Sequence, residues 1–157
     1  MMENKTGNYE FRKVSNNNVE DMLTWKYEGI YSFFDNDFSQ GKIDYVKSFP
    51  TDNNVYAIYN GKNVLVGNCA LYLNDKVTFS IQIRPNLTSQ GMGKEFLEAF
   101  LSFAKVKYNL KSIGLSVVKF NERAIRLYKS LNFIAVNEFI GKTVNGEMEF
   151  ITMEKEL

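Results

Sequence analysis

The residues predict an α+β fold built on a mixed, mostly antiparallel sheet, and three observations carry that reading. Period-two alternation runs through Val55–Tyr59, Val64–Leu73 and Val77–Ile83, with turns at Asn60-Gly61 and Asn74-Asp75-Lys76, the pattern of an antiparallel meander. The strand ending Ile83-Arg84-Pro85 then passes through a polar turn into a long amphipathic helix, Gly91 to Tyr108, followed by a further strand, Ser112–Phe120. If Ser112–Phe120 pairs with Val77–Ile83, the connection is a right-handed parallel crossover. A second hairpin, Phe133–Lys142 and Met148–Met153, turns at Asn145-Gly146.

The remaining elements follow in order. Tyr9–Val14 reads as a first strand, and Asn16-Asn17-Asn18 as a turn able to cap a helix over Val19–Tyr27, with Val19, Met22 and Leu23 on related faces. Gly29 ends that helix. A second helix spans Gln40–Phe49, where Ile43, Val46 and Lys47 recur at helical spacing and Pro50 closes it. Between the two helices, Trp25, Tyr31, Phe33, Phe34 and Phe38 admit two readings. They pack a helix–loop–helix onto the sheet, or they wall a cleft in which Asp35 and Asp37 attract a cation. In the long helix, Met92, Phe96, Leu97, Phe100, Leu101 and Ala104 form the apolar face. Asn121 caps a last helix, Glu122–Leu131, whose Ala124, Ile125, Leu127, Tyr128 and Leu131 face inward. The order is β-α-α-β-β-β-α-β-α-β-β, with no repeat or linker, so residues 1–157 read as a single domain.

Composition narrows the chemistry. A net charge of +1 gives no electrostatic case for nucleic acid or a membrane surface. No apolar run approaches the roughly 20 residues a spanning helix needs, and the N-terminus lacks the apolar core of a signal peptide. Cys69 is the only cysteine, so no intrachain disulfide can form and a cytoplasmic setting is expected, with Cys69 as a buried thiol. The chain has no histidine. That excludes Ser-His-Asp and Cys-His triads and His-ligated metal sites, and no metal is expected. Acid–base work falls to carboxylates, Tyr, Lys, Cys69 or water.

The turn before the long helix carries the chemistry. Gly91 and Gly93 let backbone N–H groups approach a ligand, and a helix N-terminus there offers unpaired donors and the positive end of the dipole, the requirements of a phosphate seat. The same glycines also serve a plain strand–turn–helix connection. Phe96 stands where a dinucleotide fingerprint needs Gly or Ala. Thr88 and Glu95 replace the first Gly and the Ser/Thr of a P-loop. Neither NAD nor ATP fits.

With these motifs in place, the chain resembles the GNAT superfamily of N-acetyltransferases over nearly its whole length, most firmly over Val77–Phe133. The strand end Ile83-Arg84-Pro85, the loop Thr88-Ser89-Gln90-Gly91-Met92-Gly93 and the segment Asn121-x-x-Ala124-x-x-x-Tyr128-x-x-x-Asn132-Phe133 match that family's three motifs in order and spacing. Thr88 stands where the family loop has Gln or Arg. Asn132 replaces the Gly before Phe, a residue that tolerates the left-handed conformation of a helix end.

The resemblance implies a central mixed sheet with helices on both faces and acetyl-CoA as cosubstrate. Backbone amides of Ser89, Gln90, Gly91, Met92, Gly93 and Lys94 would hold the pyrophosphate, and Asn121 would contact the cofactor. Ile81 and Ile83 would hydrogen-bond the pantetheine arm in a gap between the fourth and fifth predicted strands, while an amide near Ile81 or Gln82 polarises the thioester carbonyl. Tyr128 matches the acid that protonates the departing thiolate; its spacing alone fits a core tyrosine equally well. Ser116 stands where some relatives carry a glutamate base. Glu28, Asp35, Asp37 and Glu147 remain as candidates, with none assigned. The implied acceptor is a small-molecule or peptide amine, namely a peptide N-terminus, lysine, polyamine or amino sugar. It would lie between Trp25–Phe38 and Phe139–Phe150, in a protein that is a monomer or homodimer. A non-catalytic CoA-binding or sensing domain is the alternative on the same scaffold.

Overall fold

The computed structural model describes residues 4–87, 91–143 and 146–157. Strands β1 (Lys5–Thr6), β2 (Tyr9–Lys13), β3 (Val55–Tyr59), β4 (Leu65–Leu73), β5 (Val77–Ile83), β6 (Ser112–Val118), β7 (Ile134–Thr143) and β8 (Gly146–Glu156) join in one sheet. Its order is β1-β2-β3-β4-β5-β6-β8-β7, antiparallel throughout except for the parallel β5–β6 step. Helices α1 (Asn16–Met22), α2 (Gln40–Lys47), α3 (Gly93–Tyr108) and α4 (Glu122–Ser130) complete the described elements, with 3₁₀ turns at Gly29–Phe34, Phe49–Thr51 and Pro85–Leu87. No helix among the described residues is long and apolar enough to cross a membrane.

Strand alternation sorts the side chains into two cores. Tyr56, Ile58, Val66, Cys69, Leu71 and Phe79 face α3, meeting Phe96, Phe100 and Phe103. Val55, Ala57, Leu65 and Ala70 face the opposite side, under Met22 and Trp25 with Val46 of α2. Helices therefore cover both faces of the sheet, since each face carries its own apolar set.

Register slips at one point. Ile58 pairs with Gly67 but Tyr59 with Leu65, so the strand bulges around Val66. The bulge turns both Val66 and Gly67 toward α3. A Cβ on Gly67 would collide with the Gln82 carbonyl oxygen and lie 2.7 Å from Phe96 Cζ. Gly67→Ala is expected to destabilise the protein by about 1–3 kcal/mol through overpacking. A urea melt with an unchanged midpoint would contradict this.

Several boundaries differ from the sequence reading. Helix α1 starts three residues before Val19 because Ser15 is its cap: the Ser15 hydroxyl accepts from Asn18 N–H (3.1 Å) and the Asn18 amide oxygen accepts from Ser15 N–H (2.9 Å). It stops at Met22, with Leu23 still in right-handed geometry as its cap, and Trp25 then enters the core at 3% exposure. The first hairpin is not a two-residue Asn-Gly turn. Asn63 rather than Gly61 takes positive φ (62°), and the Asn60 side chain accepts from Lys62 and Val64 N–H to close a longer loop. In the second hairpin Gly146 has φ 90°, and Asn145 lies outside the described residues. The two-residue β1 was not anticipated; it is folded back on β2 after Gly7 at φ 60°.

Burial raises the pKa of the Cys69 thiol and, on its own, that of Tyr128, and it is the leading cause for Tyr27 and Tyr45. In each case the folded chain holds its proton to higher pH than the unfolded chain. Their contribution to stability is therefore complete below the unfolded values and is lost as pH rises from about 9 through the folded values. The melting temperature is expected to fall steadily above about pH 9; a flat profile to pH 11 would refute this ordering.

Candidate active site

The parallel step is where the sheet opens. Strands β5 and β6 share only the Thr78–Gly114 register pair, although each is seven residues long. Beyond that pair the strands are not paired, and a cavity of about 660 Å³ lies along the C-terminal half of β5, facing the start of α4 that follows β6. Its lining comes from both faces of the sheet: Ile81, Ile83, Leu127 and Tyr128 on the α3–α4 side, Ser80, Gln82, Tyr45 and Tyr72 on the α1–α2 side. An extended molecule can thus pass from one face of the sheet to the other.

At one end lies the α3 N-terminus. Its cap residue, Met92, provides no side-chain hydrogen bond, so among the described residues no capping oxygen meets the first-turn N–H donors. Gly91 sits at φ 74° with open space where a side chain would begin. Gly93 has a different reason to be glycine: its Cβ would meet Leu127 Cδ2 at 3.1 Å, so it lets α3 pack closely on α4. Lys94 adds a cation to the lining. An uncapped helix start with a bare glycine approach and a lysine fits an anionic group such as a pyrophosphate.

Tyr128 lies on the cavity-facing side of α4, its ring against Phe79 (6.2 Å) and Phe133 (5.6 Å). Desolvation among these apolar neighbours pushes its pKa up to about 12. Among the described residues no group hydrogen-bonds its hydroxyl, which is therefore a donor available to the cavity. Asn121 does cap α4, accepting from Ala124 N–H at 3.2 Å, and also lines the cavity.

The other end is built by the segment between α1 and α2. The Gln82 side chain holds it in place: its oxygen accepts from Asn36 (3.1 Å) and Asn68 (2.9 Å), and its amide donates to the Phe34 carbonyl (3.2 Å). The Tyr27 hydroxyl donates to the Ile83 carbonyl at 2.6 Å, fastening the same segment to the edge of the gap. Arg123 of α4 lies over the Tyr31 ring at 4.3 Å, joining the two faces across the cavity. Tyr45 and Tyr72 hydroxyls meet at 2.6 Å, and Tyr72 meets Ser80 Oγ at 3.1 Å.

Of the residues singled out from sequence, Ile81, Gln82, Ile83, Gly91, Gly93, Lys94, Asn121 and Tyr128 all line this one cavity. Met92 does not, and Ser89, Gln90 and Thr88 lie outside the described residues. The aromatic stretch divides between its two readings: Trp25 is core, while Tyr31 and Phe34 are cavity wall.

Among the described residues, the reading in which Asp35 and Asp37 draw a cation into a cleft does not hold. Asp35 is 8% exposed and accepts from Tyr27 N–H (2.8 Å), Asp37 pairs with Lys26, and neither lines the cavity. Glu28, Glu147 and Ser116 are exposed and also outside the lining. No described residue of the 139–150 hairpin contributes; Phe139 and Phe150 stack on each other instead (5.2 Å). The charged side chains that do line the cavity, among the described residues, are Lys42, Lys94 and Arg123, all cationic. Sequence reasoning missed Lys42 and Tyr27. Lys42 precedes the fully buried Val46 by four residues, a spacing that places both on the inward face of α2.

The fold is that of known acetyltransferases. An acetyltransferase (GNAT family) from Bacillus anthracis superposes with TM-score 0.69 at 15% identity, covering 97% of this chain and 96% of that one. A spermidine N-acetyltransferase SpeG chimera from Vibrio cholerae and hSSAT gives 0.73 at 16% identity, covering 96% of each chain. The spermidine N-acetyltransferase from Vibrio cholerae in complex with CoA and spermine gives 0.67 at 18% identity, covering 95% of each. No curated protein sequence matches significantly. The sequence profile of the Acetyltransferase (GNAT) family matches residues 18–133, and the chain belongs to that family of acetyltransferases.

Proposed function

We propose that the protein transfers an acetyl group from acetyl-CoA to a primary amine by direct attack within this cavity. The observation that carries the reading is the opening of β5 from β6, which joins the uncapped α3 N-terminus on one face to an aromatic lobe on the other, with the Tyr128 hydroxyl along the way.

Backbone N–H groups of Gly91, Gly93 and Lys94 hold the pyrophosphate at the start of α3. Ile81 and Ile83 offer main-chain partners to the pantetheine arm at the edge of the gap, and Asn121 contacts the cofactor beside its capping role. An amide at Ile81 or Gln82 stabilises the charge that develops on the carbonyl oxygen. The acceptor nitrogen bonds to the acetyl carbon, the carbon–sulfur bond breaks, and the electron pair leaves on sulfur.

Tyr128 then donates to that sulfur. With its pKa near 12 against roughly 8.5 for an ordinary thiol, full transfer of the phenolic proton is uphill. Tyr128 therefore acts chiefly as a hydrogen-bond donor to the developing thiolate, and it keeps its proton across the working pH range. With no carboxylate in the lining among the described residues, the amine loses its proton to water.

Calorimetric titration with acetyl-CoA, followed by mass spectrometry of an added amine, tests this reading. Binding together with a gain of one acetyl group on the amine is expected. Binding without any acetylated product across amine classes would instead favour a sensor.

A further inference from the structure

Resting on the acetyl-transfer reading, we propose that the acceptor is a small amine that also carries an anionic group, a carboxylate or a phosphate, seated on the Lys42 ammonium. Three observations support this. Lys42 lies on the inward face of α2, half-buried, and its ammonium makes no hydrogen bond or ion pair among the described residues. Burial disfavours its charged form, while Asp35 exerts the opposing pull without lining the cavity. An anion from the ligand restores what burial removes.

The second observation is position. Lys42 belongs to the helix pair that packs on the Val55–Ala57 face of the sheet, opposite the face that carries the α3 N-terminus. It is therefore separate from the phosphate seat, and its charge serves the acceptor. The same cavity is lined by Tyr45, Phe49, Tyr72 and Ser80, and the Tyr45, Tyr72 and Ser80 hydroxyls are hydrogen-bonded in a chain.

The third is charge sign. A polycationic amine entering this cavity meets Lys42 and no carboxylate among the described lining residues. Like charges in a partly desolvated site repel, and an unpaired buried ammonium on the ligand would be left without a counter-ion. An amine with an attached anion avoids both penalties.

The test compares matched acceptors by initial rates of thiol release from acetyl-CoA: glucosamine against glucosamine 6-phosphate, an amino acid against its amide, and spermidine. The expected result is kcat/KM at least about tenfold higher for the anion-bearing member of one pair, the sugar pair reporting phosphate and the amino-acid pair carboxylate. Lys42→Gln is expected to abolish that preference mainly through KM, Lys42→Arg to retain it, and both to leave calorimetric CoA affinity unchanged. Preference for spermidine or for the members that lack the anion, or a preference that survives Lys42→Gln, overturns the inference and leaves acetyl transfer standing. Failure of acetyl-CoA to bind would overturn acetyl transfer itself, and the inference with it.

Discussion

Tyr128→Phe is expected to lower kcat by roughly a hundredfold while leaving CoA affinity and fold stability nearly unchanged. The phenyl ring keeps its packing against Phe79 and Phe133, so the substitution removes only the hydroxyl, which has no hydrogen-bond partner among the described residues. What is lost is a donor aimed at a charge that exists only in the transition state. Because the hydroxyl titrates near pH 12, the wild-type rate should show no loss from Tyr128 ionisation below about pH 11. The pH profiles of the two proteins should then run parallel, displaced in rate. An unchanged kcat in the variant would remove Tyr128 from the chemistry and return it to a packing role.

Gly91→Glu is expected to weaken acetyl-CoA binding at least roughly tenfold by calorimetry. Two effects combine. A non-glycine residue at φ 74° carries backbone strain of roughly 1–2 kcal/mol, and the new carboxylate stands beside the helix start proposed for the pyrophosphate. Gly91→Ala separates them, since it carries the strain without the charge and fits the open space around that position. If Gly91→Glu binds acetyl-CoA as tightly as Gly91→Ala, the phosphate seat lies elsewhere.

Much of this was legible in the sequence, for reasons that differ by element. Period-two alternation survives in the structure because successive side chains go to opposite faces: β3 and β4 bury a set on each face, while β5 turns Phe79 to α3 and Ser80 outward. The α3 helix follows its apolar face, and the parallel β5–β6 step follows from the helix between them. The motif residues converge on one cavity because a strand end, a helix start and a helix face are local features with local signals.

What sequence could not show depends on non-local contact. The bulge at Val66 needs the partner strand. Tyr27 reaches the Ile83 carbonyl across 56 positions of chain, and nothing near Tyr27 announces it. The acids of the 35–37 stretch suggested a cation-attracting cleft because composition counts charges without saying which are already satisfied. Asp35 turned out to brace a loop and Asp37 to pair with Lys26. Lys42 was within reach, since its spacing to Val46 marks the inward face. A lysine in a short, weakly apolar helix is more readily taken for a solvated residue.

The central claim, acetyl transfer from acetyl-CoA to an amine in the β5–β6 gap, is most directly tested by following free CoA thiol released from acetyl-CoA, with and without an amine present. The account predicts slow background release, strong acceleration by an anion-bearing amine, and loss of that acceleration in Tyr128→Phe. Release that is indifferent to every amine added, at the same rate in wild type and Tyr128→Phe, would contradict it.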